Sequence, residues 1–416
     1  MSTPSFELGP IRPPSEAQSL LVRVIRNCTW NRCTFCPVYK GARASQRDVD
    51  EVLADVDAMA AAAEALGGAE APSERMLQAL NGGEVPREAL QVALFLRDGA
   101  RYVFLQDADP CAVKPDRLAA VLERVRERFP TVSRVTAYGR AATLARRGEE
   151  ELTRLAERGL SRVHIGLESG SDEVLAEVHK GATAEQLVAA GRRVLGAGLE
   201  LCFYVMPGLG GRRLSDEHVA GTAAVLRDVA PAAPAERPLV VRLRTAAVAP
   251  GTPLAEQTAT GRFELPDDVE VAEELRRLLT AVGKARFLLR SDHVLNLLPG
   301  LEGTMPSDRD RLLGLLDRYL SLPDEERAEY ALGVRLGIFR RLEDLADQTL
   351  RTRLMEQAAD LVGRVVDGAV PVGRRTRRAP DDADQAGRDA RSAVHDPELR
   401  TRAMLDAARD LRARFI

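Results

Sequence analysis

The sequence predicts an α/β chain built on a parallel sheet, open or closed, with an α-helical appendage at its C-terminal end. Three observations predict it. Six short apolar runs alternate with helix-period segments between residues 19 and 255; one side-chain parity of those runs is apolar while the other is polar; beyond 255 the alternation gives way to helical patterns. With 416 residues, 45% of them hydrophobic and 29% charged, the chain is long enough for a large core plus an appendage.

Taken in order, a Pro-rich extension over residues 1–18 leads to a strand at 19–26 that runs straight into a cysteine-bearing loop. Residues 46–64 carry apolar positions at helical spacing, and 72–97 reads as mainly helical with a break at Asn81-Gly-Gly. Strands follow at 101–106, 134–138, 162–167, 199–206 and 239–244, with helices over 118–129, 149–158, 184–195 and 215–229. Such an order makes parallel neighbours. Residues 256–371 read as a helical C-terminal domain that covers the open side of the sheet, 372–395 as a charged flexible linker and 396–416 as a terminal helix.

Strand parity separates a structural face from a candidate site. Val135, Ala137, Val163, Ile165, Leu167, Leu201, Phe203, Val205, Val241 and Leu243 suit a face packed under helices. The opposite parity brings Thr136, Tyr138 and Arg140 together with His164, Glu168, Cys202, Tyr204, Met206, Arg242 and Arg244. That set is too polar for a filled interior, and its polar members crowd toward the C-terminal ends of the strands, where α/β barrels build their sites.

The cysteine loop lies at the same end. Cys28, Cys33 and Cys36 fall within nine residues, and an odd number of thiols cannot close as internal disulfides, so a metal or iron–sulfur centre is expected. A structural zinc site wants four protein ligands, yet Cys111, Cys202 and the first histidine, His164, are remote in sequence. Three ligands from one loop leave a coordination position open. A zinc-stabilised binding protein without catalysis remains the alternative reading.

The loop resembles the cluster loop of the radical S-adenosylmethionine superfamily, whose pattern is C-x3-C-x2-C with an aromatic residue before the last cysteine. Phe35 holds the aromatic position and Cys33 and Cys36 keep the second spacing, while Cys28 to Cys33 is C-x4-C. The resemblance covers roughly residues 19–255. It is nearest to the branch that includes oxygen-independent coproporphyrinogen oxidases and methylthiotransferase-like proteins, through His164-Ile-Gly-Leu-Glu-Ser-Gly170 and Lys180-Gly-Ala-Thr183.

It implies a partial (β/α)6 TIM-like barrel, a [4Fe-4S] cluster on Cys28, Cys33 and Cys36, and S-adenosyl-L-methionine as second cofactor. It further implies an electron donor such as flavodoxin or ferredoxin, and reductive cleavage of the cofactor to a 5′-deoxyadenosyl radical that abstracts hydrogen from a substrate. Residue by residue, Asp107 and Asp109 after the second strand match the position that receives the cofactor's amino group. Glu168 matches a ribose or amino acid contact, and Met206 and Gly208 match the segment that lets backbone approach adenine. Arg242 and Arg244 are read as a clamp for a carboxylate of cofactor or substrate, with Tyr138 and Arg140 as catalytic candidates in the same pocket.

Two strings are set aside. Gly82-Gly-Glu-Val-Pro86 matches the family's amino-group motif without following a predicted strand. Asp216-Glu-His-Val-Ala-Gly221 matches the D-x-H-x-x-G pattern of cobalamin-binding domains, but too few residues precede the cluster loop to build such a domain, so His218 is expected on the surface of a barrel helix.

A net charge of −3 gives no broad basic field for nucleic acid, although some radical S-adenosylmethionine enzymes modify RNA; a small, anionic substrate is favoured. Neither a secretory signal nor a run long enough to span a membrane is apparent, and the expected location is cytoplasmic, where thiols stay reduced.

Overall fold

The computed structural model describes residues 5–66, 87–366 and 397–414. The Gly82–Pro86 string, the break at Asn81 and the 372–395 linker lie outside the described residues. The first strands are β1 (Leu20–Arg23), β2 (Ile25–Arg26) and β3 (Ser45–Gln46), followed by β4 (Tyr102–Gln106) and β5 (Arg134–Tyr138). Then come β6 (Leu160–Glu168), β7 (Glu200–Val205), β8 (Leu239–Leu243), β9 (Phe287–Arg290) and β10 (Gly303–Met305). The main sheet runs β1-β4-β5-β6-β7-β8-β9-β10, parallel from β1 to β9, with β10 antiparallel at the edge. All six predicted strands are present in sequential order, and the sheet is a partial barrel that does not close.

The alternation does not end at residue 255, as the sequence reading expected. Helix Asp268–Ala281 carries the chain over to β9, which pairs in parallel with β8 from Leu239↔Phe287 to Arg242↔Arg290. Four residues, Phe287-Leu-Leu-Arg, are too short a run for periodicity to distinguish strand from helix.

Between the strands run α1 (Val49–Ala65), α2 (Arg87–Arg97), α3 (Pro115–Arg128), α4 (Ala141–Leu144) and α5 (Glu149–Glu157). They are followed by α6 (Asp172–Glu177), α7 (Ala184–Gly196), α8 (Ser215–Val229), α9 (Pro253–Ala259) and α10 (Asp268–Ala281). Local signals fix their starts: Thr183 and Asp267 form capping boxes with Gln186 and Glu270, satisfying backbone N–H groups that the first turn leaves free. The apolar strand parity lies under these helices, with Val163, Ile165, Leu167, Phe203 and Val205 fully buried.

The C-terminal helices are α11 (Arg309–Leu320), α12 (Asp324–Arg335), α13 (Gln348–Val366) and α14 (Pro397–Arg414). They pack beside α10. Helix α14 is fastened by Arg412, which is buried and donates to the carbonyls of Ala246 and Pro266 and to Asp268. The inner side of β4 is covered from the other end of the chain: Gln106 accepts from Gly9 N at 2.9 Å and donates to Ile11 O at 2.7 Å. No described helix is long and apolar enough to cross a membrane.

Candidate functional site

Strands β2 and β3 close the base of the cysteine loop as an antiparallel pair, Ile25↔Gln46 and Arg26↔Ser45. Inside it, Asn27 and Asn31 take left-handed backbone conformations, which asparagine tolerates better than other residues with a side chain. Their amides tie the loop across itself. Asn27 Nδ2 donates to Arg43 O at 2.8 Å, and Asn31 Nδ2 donates to Tyr39 O and Ala42 O. Lys40 Nζ donates to Cys33 O at 2.8 Å. The loop is docked on the barrel by Thr34, whose N–H donates to Val178 O and whose carbonyl accepts from Leu254 N. Buried Phe35 packs in one apolar cluster with Met206, Leu209 and Ala246, with Cys33 and Cys36 against it.

Cys28, Cys33 and Cys36 are free and half-buried, whereas Cys111 and Cys202 are free and fully buried elsewhere. Burial raises the Cys33 thiol, the Lys180 ammonium opposes that rise, and Cys36 and Cys28 add to it, so the three sulfurs share one electrostatic environment. Among the described residues no three His, Cys, Asp or Glu side chains are grouped to hold a metal ion. A mononuclear zinc site needs its ligands to converge on one point. An iron–sulfur cube takes each thiolate on a different iron, so three free thiols carried by one anchored loop fit such a group.

Asp107 and Asp109 both reach this loop, and both are already engaged. Asp107 is fully buried beneath it, accepting from Arg23 Nε at 2.8 Å and Asn27 N at 3.1 Å through Oδ2, and the Tyr39 hydroxyl reaches the same carboxylate. Burial pushes its carboxyl above the ordinary carboxylate range even against the opposing effect of Arg23. Asp109 accepts from Arg140 N at 3.0 Å and from Thr143 Oγ1 at 2.6 Å, which occupies both oxygens. Arg140 is engaged by the cysteine loop and the turn after α6. Its guanidinium donates to Gly181 O at 3.2 Å and lies 5.1 Å from the Trp30 ring centroid.

Glu168, in a left-handed conformation at the end of β6, is joined by Lys180 Nζ at 2.8 Å. Lys180 is a site residue that sequence reasoning did not single out; the signal was its acidic partner twelve residues away. Burial would lower the Lys180 ammonium, but Glu168 and Cys33 outweigh that and raise it, so it stays charged beside the loop. Gly166 makes room for this pair: a Cβ there would come within 2.7 Å of Lys180 Nζ. On the neighbouring loop, Met206 N donates to Glu168 O, and Gly208 adopts φ +84 with its N–H donating to buried Glu274 at 2.7 Å.

The polar strand parity lines the inner face. Tyr138, His164 and Tyr204 form a chain of edge-on rings with centroids 6.0 and 5.6 Å apart, and Phe104 packs on Tyr138 at 4.9 Å. His164 is fully buried with Nε2 unpartnered, and burial holds it neutral, well below the ordinary imidazole range. Arg242 neighbours Tyr204 across the β7–β8 ladder and pairs with Asp292, yet its Nε, like that of Arg244, is buried without a partner.

His218 corrects the sequence reading. It lies on barrel helix α8 as expected, but it is fully buried and bonded to Ser169 Oγ at 3.0 Å. The position is covered because Gly170 and Gly221 let the 169–171 turn approach the helix backbone; a Cβ on Gly221 would stand 2.6 Å from Gly170 C.

Comparison with solved structures returns distant likenesses. Elp3 from the archaeon Methanocaldococcus infernus matches at 17% identity, covering 46% of each chain with a TM-score of 0.36. The cobalamin-dependent S-adenosylmethionine radical enzyme OxsB matches at 14% identity over 90% of this chain and 58% of its own, with a TM-score of 0.41. Methylornithine synthase, PylB, matches at 15% identity over 80% and 85%, with a TM-score of 0.39. The chain thus spans about half the length of the first two. No curated protein matches it. Residues 22–223, from β1 through the cysteine loop to the middle of α8, match the family model of the Radical SAM superfamily, so this part of the chain is a radical SAM domain.

Proposed function

We propose that Cys28, Cys33 and Cys36 hold a [4Fe-4S] cluster, that S-adenosyl-L-methionine binds on its open iron, and that the chain acts on a small substrate carrying an anionic group. The observation that supports this most directly is the anchored triplet of free, half-buried thiols at the C-terminal mouth of a parallel partial barrel, with Lys180 and Glu168 beside Cys33. When bound and reduced by an external donor such as flavodoxin or ferredoxin, these cofactors supply a 5′-deoxyadenosyl radical for hydrogen abstraction.

The chain's own share is placement and exclusion of water. Phe35, packed on Met206, seals the inner side of the loop. Asp107, the candidate acceptor for an ammonium group, also holds Arg23 and the loop through Oδ2, and the Tyr39 hydroxyl reaches the same carboxylate. Glu168 presents a carboxylate to a ribose hydroxyl, held in place by Lys180. Gly208 holds the turn beside the adenine position, since its φ of +84 suits glycine and a Cβ there would stand 3.0 Å from Pro266 Cγ. The free Nε groups of Arg242 and Arg244 supply donors for a carboxylate, and Tyr138 faces the same interior. Tyr138 therefore stands nearer to a bound substrate than Arg140, which is engaged by the cysteine loop and the turn after α6.

Anaerobic purification and reconstitution, with iron, sulfide and zinc measured before S-adenosyl-L-methionine and a strong reductant are added, tests the reading. About four irons per chain and release of 5′-deoxyadenosine are expected, and alanine at any of the three cysteines should abolish that release. A colourless protein with about one zinc that leaves S-adenosyl-L-methionine intact would overturn it.

A further inference from the structure

The D-x-H-x-x-G string of α8 has a role that the cysteine loop does not explain. Ser215, His218 and the adjacent pair Gly221 and Thr222 follow one another at three to four residues and so share one helix face. That face meets two loops. On one side Ser171 N donates to Ser169 Oγ at 3.1 Å, which leaves the Ser169 hydroxyl proton for His218 Nδ1 at 3.0 Å. Gly170 N donates to Thr222 Oγ1 at 3.0 Å over the Gly170–Gly221 contact. On the other side Glu274 of α10 lies 3.6 Å from His218 Nε2, accepting from Gly208 N at 2.7 Å and from Ser215 Oγ at 2.5 Å. Ser169, His218, Thr222 and Glu274 are all buried.

Because Ser169 donates to Nδ1, the neutral imidazole carries its proton on Nε2, which is buried with the Glu274 carboxylate 3.6 Å away, in contact but beyond hydrogen-bond range. The resulting line, Ser169–His218–Glu274–Gly208, begins one residue after Glu168 and ends on Gly208. Both terminal loops contain a residue in the left-handed region, Glu168 at φ 61 and Gly208 at φ 84, and a non-glycine residue there persists only where its surroundings over-determine it.

We propose that His218 and Glu274 are positioning residues that fix the Glu168 turn and the Gly208 turn relative to each other, and so set the pocket for the nucleoside part of S-adenosyl-L-methionine. This rests on the assignment of Glu168 and Gly208 to that cofactor. Neither residue touches the cofactor. The network acts by fixing where the Glu168 carboxylate and the Gly208 turn stand relative to each other.

The test uses full-length, anaerobically reconstituted protein and four variants: His218→Ala, His218→Asn, Glu274→Ala and Glu274→Gln. Iron content, thermal transition, S-adenosyl-L-methionine affinity and amide hydrogen exchange over 169–171 and 208–210 are measured on each. The alanine variants are expected to keep their iron, lose exchange protection in both turns, and bind the cofactor about tenfold or more weakly, the effect of one lost buried hydrogen bond. His218→Asn retains an acceptor for the Ser169 hydroxyl and Glu274→Gln retains one for Gly208 N, so these variants should recover most of the affinity. Folded alanine variants with wild-type affinity, or conservative variants as impaired as the alanines, would overturn the proposal while leaving the cofactor assignment standing. Wild-type protein that holds iron but binds no S-adenosyl-L-methionine would overturn the assignment, and the proposal with it.

Discussion

Gly181 lies against the indole of Trp30 so closely that a Cβ at 181 would come within 2.8 Å of Trp30 Cδ2, and its φ of +68 disfavours any side chain. Trp30 Nε1 donates to His179 O at 2.6 Å, and the guanidinium carbons of Arg32 and Arg140 stand 5.0 and 5.1 Å from the ring centroid. The single tryptophan of the chain thus locks the cysteine loop to the turn after α6. Gly181→Ala should destabilise the protein by about 1–3 kcal/mol through strain and displacement of the ring. It should also lower the iron retained per chain after reconstitution. Full iron loading with an unshifted thermal transition would show that Trp30 does not set the loop's position.

The pair Arg23–Asp107, 2.7 Å apart with Asp107 fully buried, supports the loop from beneath. Removing either partner leaves the other charge poorly compensated, so Asp107→Ala and Arg23→Ala should each cost about 3 kcal/mol. The double variant should cost clearly less than the sum, because the two act as a unit. Glu7 also pairs with Arg23, at 2.8 Å, and it keeps the Asp107→Ala variant from the worst of that loss. Urea denaturation of the four proteins decides the matter: additive losses would mean that the two residues support the loop separately.

The strands and the loop were legible in the sequence because they rest on local chemistry. Period-two alternation showed which residues of β5 to β8 face the helices, and the spacing of Cys28, Cys33 and Cys36 pointed to a metal or iron–sulfur centre. What escaped was set by remote contact. The burial of His218 depends on Gly170, forty-eight residues earlier in the chain, meeting Gly221, and nothing in a helix pattern reveals that a small residue elsewhere will let a turn close over it. Asp107 and Asp109 were found by their position after β4, but their commitment to Arg23 and Thr143 is a property of the packed loop. Lys180 was visible only as part of a string until the fold brought it to Glu168.

Acid stability carries a signature of the half-buried His293. Burial and the Arg244 guanidinium push His293 down from its ordinary 6.5 to about 4, with Asp292 acting in the opposite sense. Between those values the unfolded chain binds the proton and the folded chain does not, so stability rises with pH across about 4 to 6.5 and this contribution is lost as pH falls through that window. His293→Gln removes it. Wild type should therefore lose more stability than the variant between pH 7 and pH 5, read as the shift in urea midpoint. Equal shifts would show that His293 titrates normally in the folded protein. The raised carboxyls of Asp107 and Asp109 act in the opposite direction but are common to both proteins and cancel in the comparison.

Arg412 makes the docking of α14 a property of the site's edge. Its Nε donates to Ala246 O at 3.0 Å and its Nη1 to Pro266 O at 3.3 Å, and Asp268, shared with Arg335, supplies the counter-charge. A buried guanidinium with that many partners cannot be replaced by an apolar stem without leaving the Ala246 and Pro266 carbonyls and the Asp268 carboxylate short of donors. Arg412→Met should therefore cost about 2–3 kcal/mol of local stability. Because Ala246 follows Arg244 by two residues, the loosening should reach the inner face as well as the helix. Hydrogen exchange should speed up both in 397–414 and in 245–248, whereas a change confined to the helix would mean that α14 merely rests on the barrel and does not hold the end of β8 in place.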